Sequence, residues 1–185
     1  MELLHKYTNG NTVVSIYDDG TKIRECPDGV VAKPVHPESM DIKITNRCDG
    51  GCKWCHEKSN PSGLHADLDR LLDVIKGLPA GVEVALGGGN PLTHPRLMPF
   101  LNALKNRGLI ANMTINQKHF KQYHGTIHQI VSEGLIKGIG VSYSNEDYLK
   151  DINPIMSLTN NMVFHIEKRI KIDYLNKRKH TILKI

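Results

Sequence analysis

From Met40 to Ile166 the chain alternates short apolar runs with stretches of helical period, and this alternation most constrains what it can fold into. The apolar runs are Met40–Thr45, Val82–Leu86, Ile110–Ile115, Ile139–Ser142 and Met162–Ile166. Between them Leu68, Leu71, Leu72 and Ile75 recur at helical spacing. So do Leu97, Phe100, Leu101 and Leu104, and then Ile127, Ile130 and Val131. Gly77, Pro79, Gly108 and Gly138 punctuate the joins. Strands separated by helices predict β/α units and a parallel sheet, an α/β fold. The 185 residues suit one such domain. No apolar run reaches the roughly 18 residues of a membrane span, and no charged-then-apolar leader opens the chain. The expectation is a cytoplasmic protein with no membrane partner.

The two ends differ from this body. Thr12–Tyr17 alternates at strand period, Asp19-Gly20 breaks it, and Thr21–Arg24 resumes it, which predicts a β-hairpin. Pro27, Pro34 and Pro37 then stiffen a connector. Residues 1–38 therefore read as an N-terminal β-hairpin extension or cap, and residues 39–185 as the main domain. The net charge of +5 is local: residues 168–185 carry seven Lys or Arg against Asp173 alone. The body is close to neutral. The tail, with Thr181–Ile185 as its one strand candidate, reads as a solvated basic extension, or as a contact for an acidic or macromolecular partner.

Polar and glycine-rich residues collect where the predicted strands end. Thr45-Asn46-Arg47-Cys48 follows the first strand, Gly87-Gly88-Gly89-Asn90-Pro91 the second, Asn116 the third, and Ser142 ends the fourth. β/α folds bind ligands at the C-terminal ends of their strands. Four separate segments thus point to one face.

Three of the four cysteines, Cys48, Cys52 and Cys55, form C-x3-C-x2-C, while Cys26 stands apart. In a chain without an export signal this favours metal or redox chemistry over disulfides. Structural zinc wants four ligands, and His56, His65 or Cys26 could complete the set, although no second ligand pair is visible. A Cys52/Cys55 redox pair leaves Cys48 without a role. Three thiolates on one loop suit a cubane iron–sulfur cluster, which ordinarily takes four cysteines and here would keep one iron open.

This spacing resembles that of the radical S-adenosylmethionine (radical SAM) superfamily, whose CxxxCxxC loop holds a [4Fe–4S] cluster. The resemblance implies that the amino and carboxylate groups of S-adenosylmethionine chelate the open iron, with Cys48, Cys52 and Cys55 as the metal ligands. It implies reductive cleavage of the sulfonium by an external one-electron reductant, and hydrogen abstraction by a 5′-deoxyadenosyl radical. Trp54 matches the aromatic that precedes the last cysteine and lies near the adenine. Gly88, Gly89 and Asn90 fall in the segment that resembles the superfamily's GGEP motif, with Asn90 in the Glu position. A side chain at Gly88 or Gly89 should then obstruct the methionyl group. Asn116 and Ser142 fall where relatives place polar groups near the ribose and methionine.

The resemblance covers residues 40–166 and implies a partial (β/α)5–6 TIM-type barrel, open on one side because so few strands cannot close. The small size is similar to that of glycyl-radical-enzyme activases, which act on a protein partner. Two rival functions remain: a non-catalytic zinc or iron–sulfur binding module, and a degenerate or truncated radical SAM fold without turnover.

Overall fold

The computed structural model describes residues 1–27, 29–53, 55–159, 161–166 and 181–184, the last four by backbone alone. Trp54 and the basic stretch 167–180 lie outside the described residues. Strands β4 (Ser39–Thr45), β5 (Glu83–Gly88), β6 (Ile110–Asn116), β7 (Gly138–Tyr143), β8 (Met162–Ile166) and β9 (Thr181–Lys184) form one parallel sheet in sequence order. Sequential order means a singly wound sheet, since right-handed crossovers then all return over the same face. Those crossovers carry α1 (Leu68–Val74), α2 (Leu97–Asn106), α3 (His119–Gln122), α4 (His124–Ser132) and α5 (Leu149–Met156).

The sheet's two faces differ sharply. Ile44, Val84, Leu86, Met113, Ile115, Val141, Tyr143 and Phe164 are buried in the core shared with Phe100, Leu101, Leu104, Ile127, Ile130 and Ile152 from the helices. The alternate positions, among them Lys43, Gly87, Thr114, Gly140, Ser142 and His165, are small or polar and half-buried or exposed. Among the described residues, this period-2 alternation in parallel strands matches helices that cover one face.

An antiparallel sheet of β1 (Leu3–Asn9), β2 (Thr12–Tyr17) and β3 (Lys22–Glu25) precedes this body. The β2–β3 pair occupies the predicted hairpin, and β1 adds a third strand that the sequence reading lacks. This small sheet packs at the N-terminal ends of the parallel strands. His5, Tyr7 and Ile16 crowd Gly81, which leads into β5. Lys22 Nζ reaches Glu83 at 2.7 Å, and Arg24 meets Glu38 at 2.7 Å just ahead of β4. Strands β1 to β3 thus lie against the end of the parallel sheet opposite the cysteine loop. At the other end of the chain, Thr181–Lys184 pairs with Val163–Ile166 as β9, so this stretch extends the sheet instead of fraying from it.

Two helices escaped the sequence reading. α3 is four residues long, too short to show a period. α5 carries Pro154, which reads as a breaker because proline lacks the N–H and crowds the preceding turn.

Candidate functional site

The cysteine loop leaves the C-terminal end of β4 and turns back on itself. Asn46 N–H donates to Leu64 O at 2.8 Å, Cys48 N–H to Asn60 O at 2.9 Å, and Ser59 Oγ to Asn46 Oδ1 at 2.9 Å. Lys43 Nζ and Glu57 pair at 2.5 Å across the loop's outer side, and the ammonium holds the Glu57 carboxyl below the usual carboxylate range. Inside this frame Gly50 N–H donates to Cys48 Sγ at 3.3 Å. A Cβ on Gly50 would lie 3.3 Å from Cys48 Sγ and 3.8 Å from Cys52 Sγ, so both sulfurs gather over this glycine. Gly51 turns with φ +58, a conformation only glycine adopts freely. Cys55 is half-buried on the same loop, its carbonyl accepting from Lys58 N–H.

The glycine run lies against the start of this loop. Gly89 N–H donates to Thr45 O and Asn90 N–H to Arg47 O, each at 2.8 Å. The β4–β5 register slips between Lys43 and Thr45, and Gly88 takes φ +109 there. A Cβ would stand 2.2 Å from Thr45 O at Gly88 and 2.3 Å from Arg47 O at Gly89. Both glycines are thus required by the approach of two strand ends, whatever else they contact. A side chain at either would disturb the cysteine loop itself as well as any ligand. Gly87 meets nothing within 4 Å. Asn90 is buried, its Oδ1 capping the turn at Pro91–Thr93 by accepting from Leu92 N–H at 3.2 Å. Its side chain is a local cap, which an Asn fills better than a Glu.

Asn116 and Ser142 end neighbouring strands in register. Asn116 Nδ2 donates to Cys52 Sγ at 3.4 Å, which ties the third strand to the thiol set. Ser142 O accepts from Gln117 N–H at 3.1 Å, and its side chain is half-buried on the helix-free face.

Three residues that the sequence did not reveal also belong to the site. His119, buried at the start of α3, sets Nε2 3.9 Å from Cys48 Sγ and Nδ1 3.6 Å from Asp49 Oδ1. Burial pulls its imidazole below the ordinary value, Asp49 opposing this and Lys118 adding to it. Lys118 Nζ donates to Gly50 O at 2.6 Å. Buried Gln117 donates to Ser144 Oγ and accepts from Ser144 and Asn145 N–H groups, welding the β6 and β7 ends together.

The zinc alternative fares less well. The His56 side chain is 91% exposed and pairs with Glu57. His65 Nδ1 is engaged with Thr45 Oγ1 at 2.9 Å, and its ring packs on His94. Cys26 follows β3 at the opposite end, 3.4 Å from Thr12 Oγ1. The structure gathers two of the three sulfurs, those of Cys48 and Cys52, each with an N–H donor aimed at it, a polar setting that thiolate ligands of an iron–sulfur cluster also use.

Residues 42–158 match the Radical SAM superfamily, and the chain belongs to that superfamily. It is 26% identical over 124 residues to the tungsten-containing aldehyde ferredoxin oxidoreductase cofactor-modifying protein of Pyrococcus furiosus, covering 63% of this chain and 33% of that one. It is 31% identical over 97 residues to the PqqA peptide cyclase of Ruegeria pomeroyi, covering 48% of this chain and 24% of that protein. The chain thus spans between a quarter and a third of these relatives' lengths. Membership implies a [4Fe–4S] cluster, S-adenosylmethionine and a reductant. Among the described residues no helix is long and apolar enough to cross a membrane.

Proposed function

We propose that Cys48, Cys52 and Cys55 hold a [4Fe–4S] cluster by three thiolates and leave one iron for the amino and carboxylate groups of S-adenosylmethionine. The observation that carries this reading is the thiol loop at the end of β4, pressed against Gly87–Asn90, with Gly50 N–H and Asn116 Nδ2 directed at two of its sulfurs. When bound and reduced, such a cluster would supply the electron for cleavage of the cofactor's sulfonium and so the chemistry for hydrogen abstraction from substrate.

The chain's own residues position and exclude. The main chain at Gly88 and Gly89 offers carbonyls toward the methionyl amino group, Asn116 and Ser142 offer polar groups along the ribose and methionine, and the superfamily resemblance assigns the adenine contact to Trp54. The main domain, residues 39–185, is a partial barrel whose helix-free face takes the substrate, and residues 1–38 form a separate extension. Its open side suits a peptide or protein, in keeping with the peptide named for one relative. A glycyl-radical-enzyme activase is one form of that reading. The basic tail, residues 168–185, supplies the contact for an acidic partner. An open iron and thiols that form no disulfide among the described residues suit the reducing cytoplasm.

The test is anaerobic reconstitution with iron and sulfide, then reduction with S-adenosylmethionine. Formation of 5′-deoxyadenosine that requires all three cysteines supports the reading. A cofactor-binding chain that yields none is a fold without turnover.

A further inference from the structure

His119 is a buried polar group beside the thiols to which the function above assigns no role. It lies about seventy residues from the cysteine loop in sequence, with its side chain only 4% exposed. Cys48, Asp49 and His119 bring three ligand atoms within 4.8 Å of one another, as a mononuclear metal site would. The geometry argues for something else. Asp49 faces Nδ1 at 3.6 Å and Cys48 faces Nε2 at 3.9 Å, on different ring nitrogens. A single ion takes one nitrogen of an imidazole, and the other nitrogen goes to a carboxylate or carbonyl that orients the ring. The Asp49 carboxylate lies at ion-pair distance from one ring nitrogen, and the other nitrogen is within hydrogen-bonding reach of the Cys48 sulfur.

We propose that His119, oriented by Asp49, hydrogen-bonds the Cys48 sulfur and raises the reduction potential of the cluster bound there, a positioning role that rests on the cluster reading above. Its neighbours act in the same sense. Of the four residues from Asn116 to His119, three reach the cysteine loop: Asn116 donates to Cys52 Sγ, Lys118 to Gly50 O, and His119 faces Cys48. A donor on a thiolate ligand draws charge from the cluster and favours the reduced form, which carries one more electron. Such a donor should change the reduced-to-oxidised ratio at a fixed potential by about tenfold.

The experiment is an EPR-monitored redox titration of the full chain, reconstituted and without S-adenosylmethionine, with iron and sulfide counted in each sample. His119→Phe removes both ring nitrogens and should lower the reduced-to-oxidised ratio at a fixed potential about tenfold, a shift of about 59 mV for one electron. His119→Gln keeps an N–H donor and should recover most of it. A fully loaded Phe variant with the wild-type midpoint overturns the proposal. Pulsed EPR of the wild-type cluster in chain labelled with 15N-histidine covers the case in which the Phe variant does not load. A weak nitrogen coupling through the hydrogen bond is expected. No coupling, or the strong coupling of a nitrogen bonded to iron, overturns it. Wild-type chain that takes up no iron and sulfide refutes the cluster reading itself and this proposal with it.

Discussion

The three glycines at the end of β5, Gly87 to Gly89, should respond to the same substitution in three ways. At Gly88 an alanine meets two penalties. Its Cβ would lie 2.2 Å from Thr45 O, and its backbone would have to hold φ +109. Overpacking costs about 1–3 kcal/mol and a disfavoured backbone another ~1–3, so Gly88→Ala should lose about 2–6 kcal/mol. A chain of this length shifts by roughly 2–4 °C per kcal/mol, which gives a fall in Tm of about 4–24 °C. At Gly89 only the clash with Arg47 O, at 2.3 Å, applies. Gly89→Ala should therefore lose about 1–3 kcal/mol and, because the displaced carbonyl opens the cysteine loop, also weaken cluster retention. At Gly87 a Cβ meets nothing within 4 Å. Gly87→Ala should leave Tm unchanged or raise it slightly, by up to ~1 kcal/mol, since alanine orders the chain at less entropic cost. Anaerobic thermal denaturation of the cluster-free proteins measures all three. A Gly88→Ala protein that melts with the wild type would refute the reasoning, because it would show that Thr45 O does not set the requirement for glycine. Gly87→Ala is also the clean probe of cofactor contact: intact stability with weakened S-adenosylmethionine binding is the expected pair of results.

Single Cys→Ala changes at Cys48, Cys52 and Cys55 should abolish the reconstituted cluster, whereas Cys26→Ala, beside Thr12 at the far end of the sheet, should keep full iron and sulfide. Gln117→Ala strands the buried N–H groups of Ser144 and Asn145 and should cost about 1–3 kcal/mol, read as a Tm loss of roughly 2–12 °C. Glu57 carries a depressed pKa, so its contribution is present above the ordinary carboxylate range and is lost as pH falls through the lowered folded value. Its partner is 45% exposed, so Glu57→Gln should change Tm at neutral pH by no more than ~1 kcal/mol, or roughly 4 °C, and the wild type should approach the variant in acid.

Much of the scaffold was legible because burial imposes periodicity. The five apolar runs became β4 to β8, and the leucine and phenylalanine spacing at 97–104 became α2, since those residues face the core. Pro154 hid α5, and the exposed residues at the start of β1 gave no alternation to read. In the site, cysteine spacing and the strand-end positions of Asn116 and Ser142 are local facts, visible one segment at a time. His119 and Lys118 were not, because their partners are created by tertiary folding across about seventy residues. Gly88 and Gly89 illustrate a different limit. Their conformational freedom was readable, but what it accommodates first is the carbonyl groups of Thr45 and Arg47.

The central claim is that three cysteines bind a [4Fe–4S] cluster with one iron left for S-adenosylmethionine. Mössbauer spectroscopy of the 57Fe-reconstituted chain, with and without S-adenosylmethionine, tests it most directly. The account predicts ~4 iron per chain, with one iron of the four changing its isomer shift when the cofactor binds and the other three unchanged. Four equivalent irons that ignore the cofactor, or a chain that holds zinc and takes up no sulfide, would contradict it.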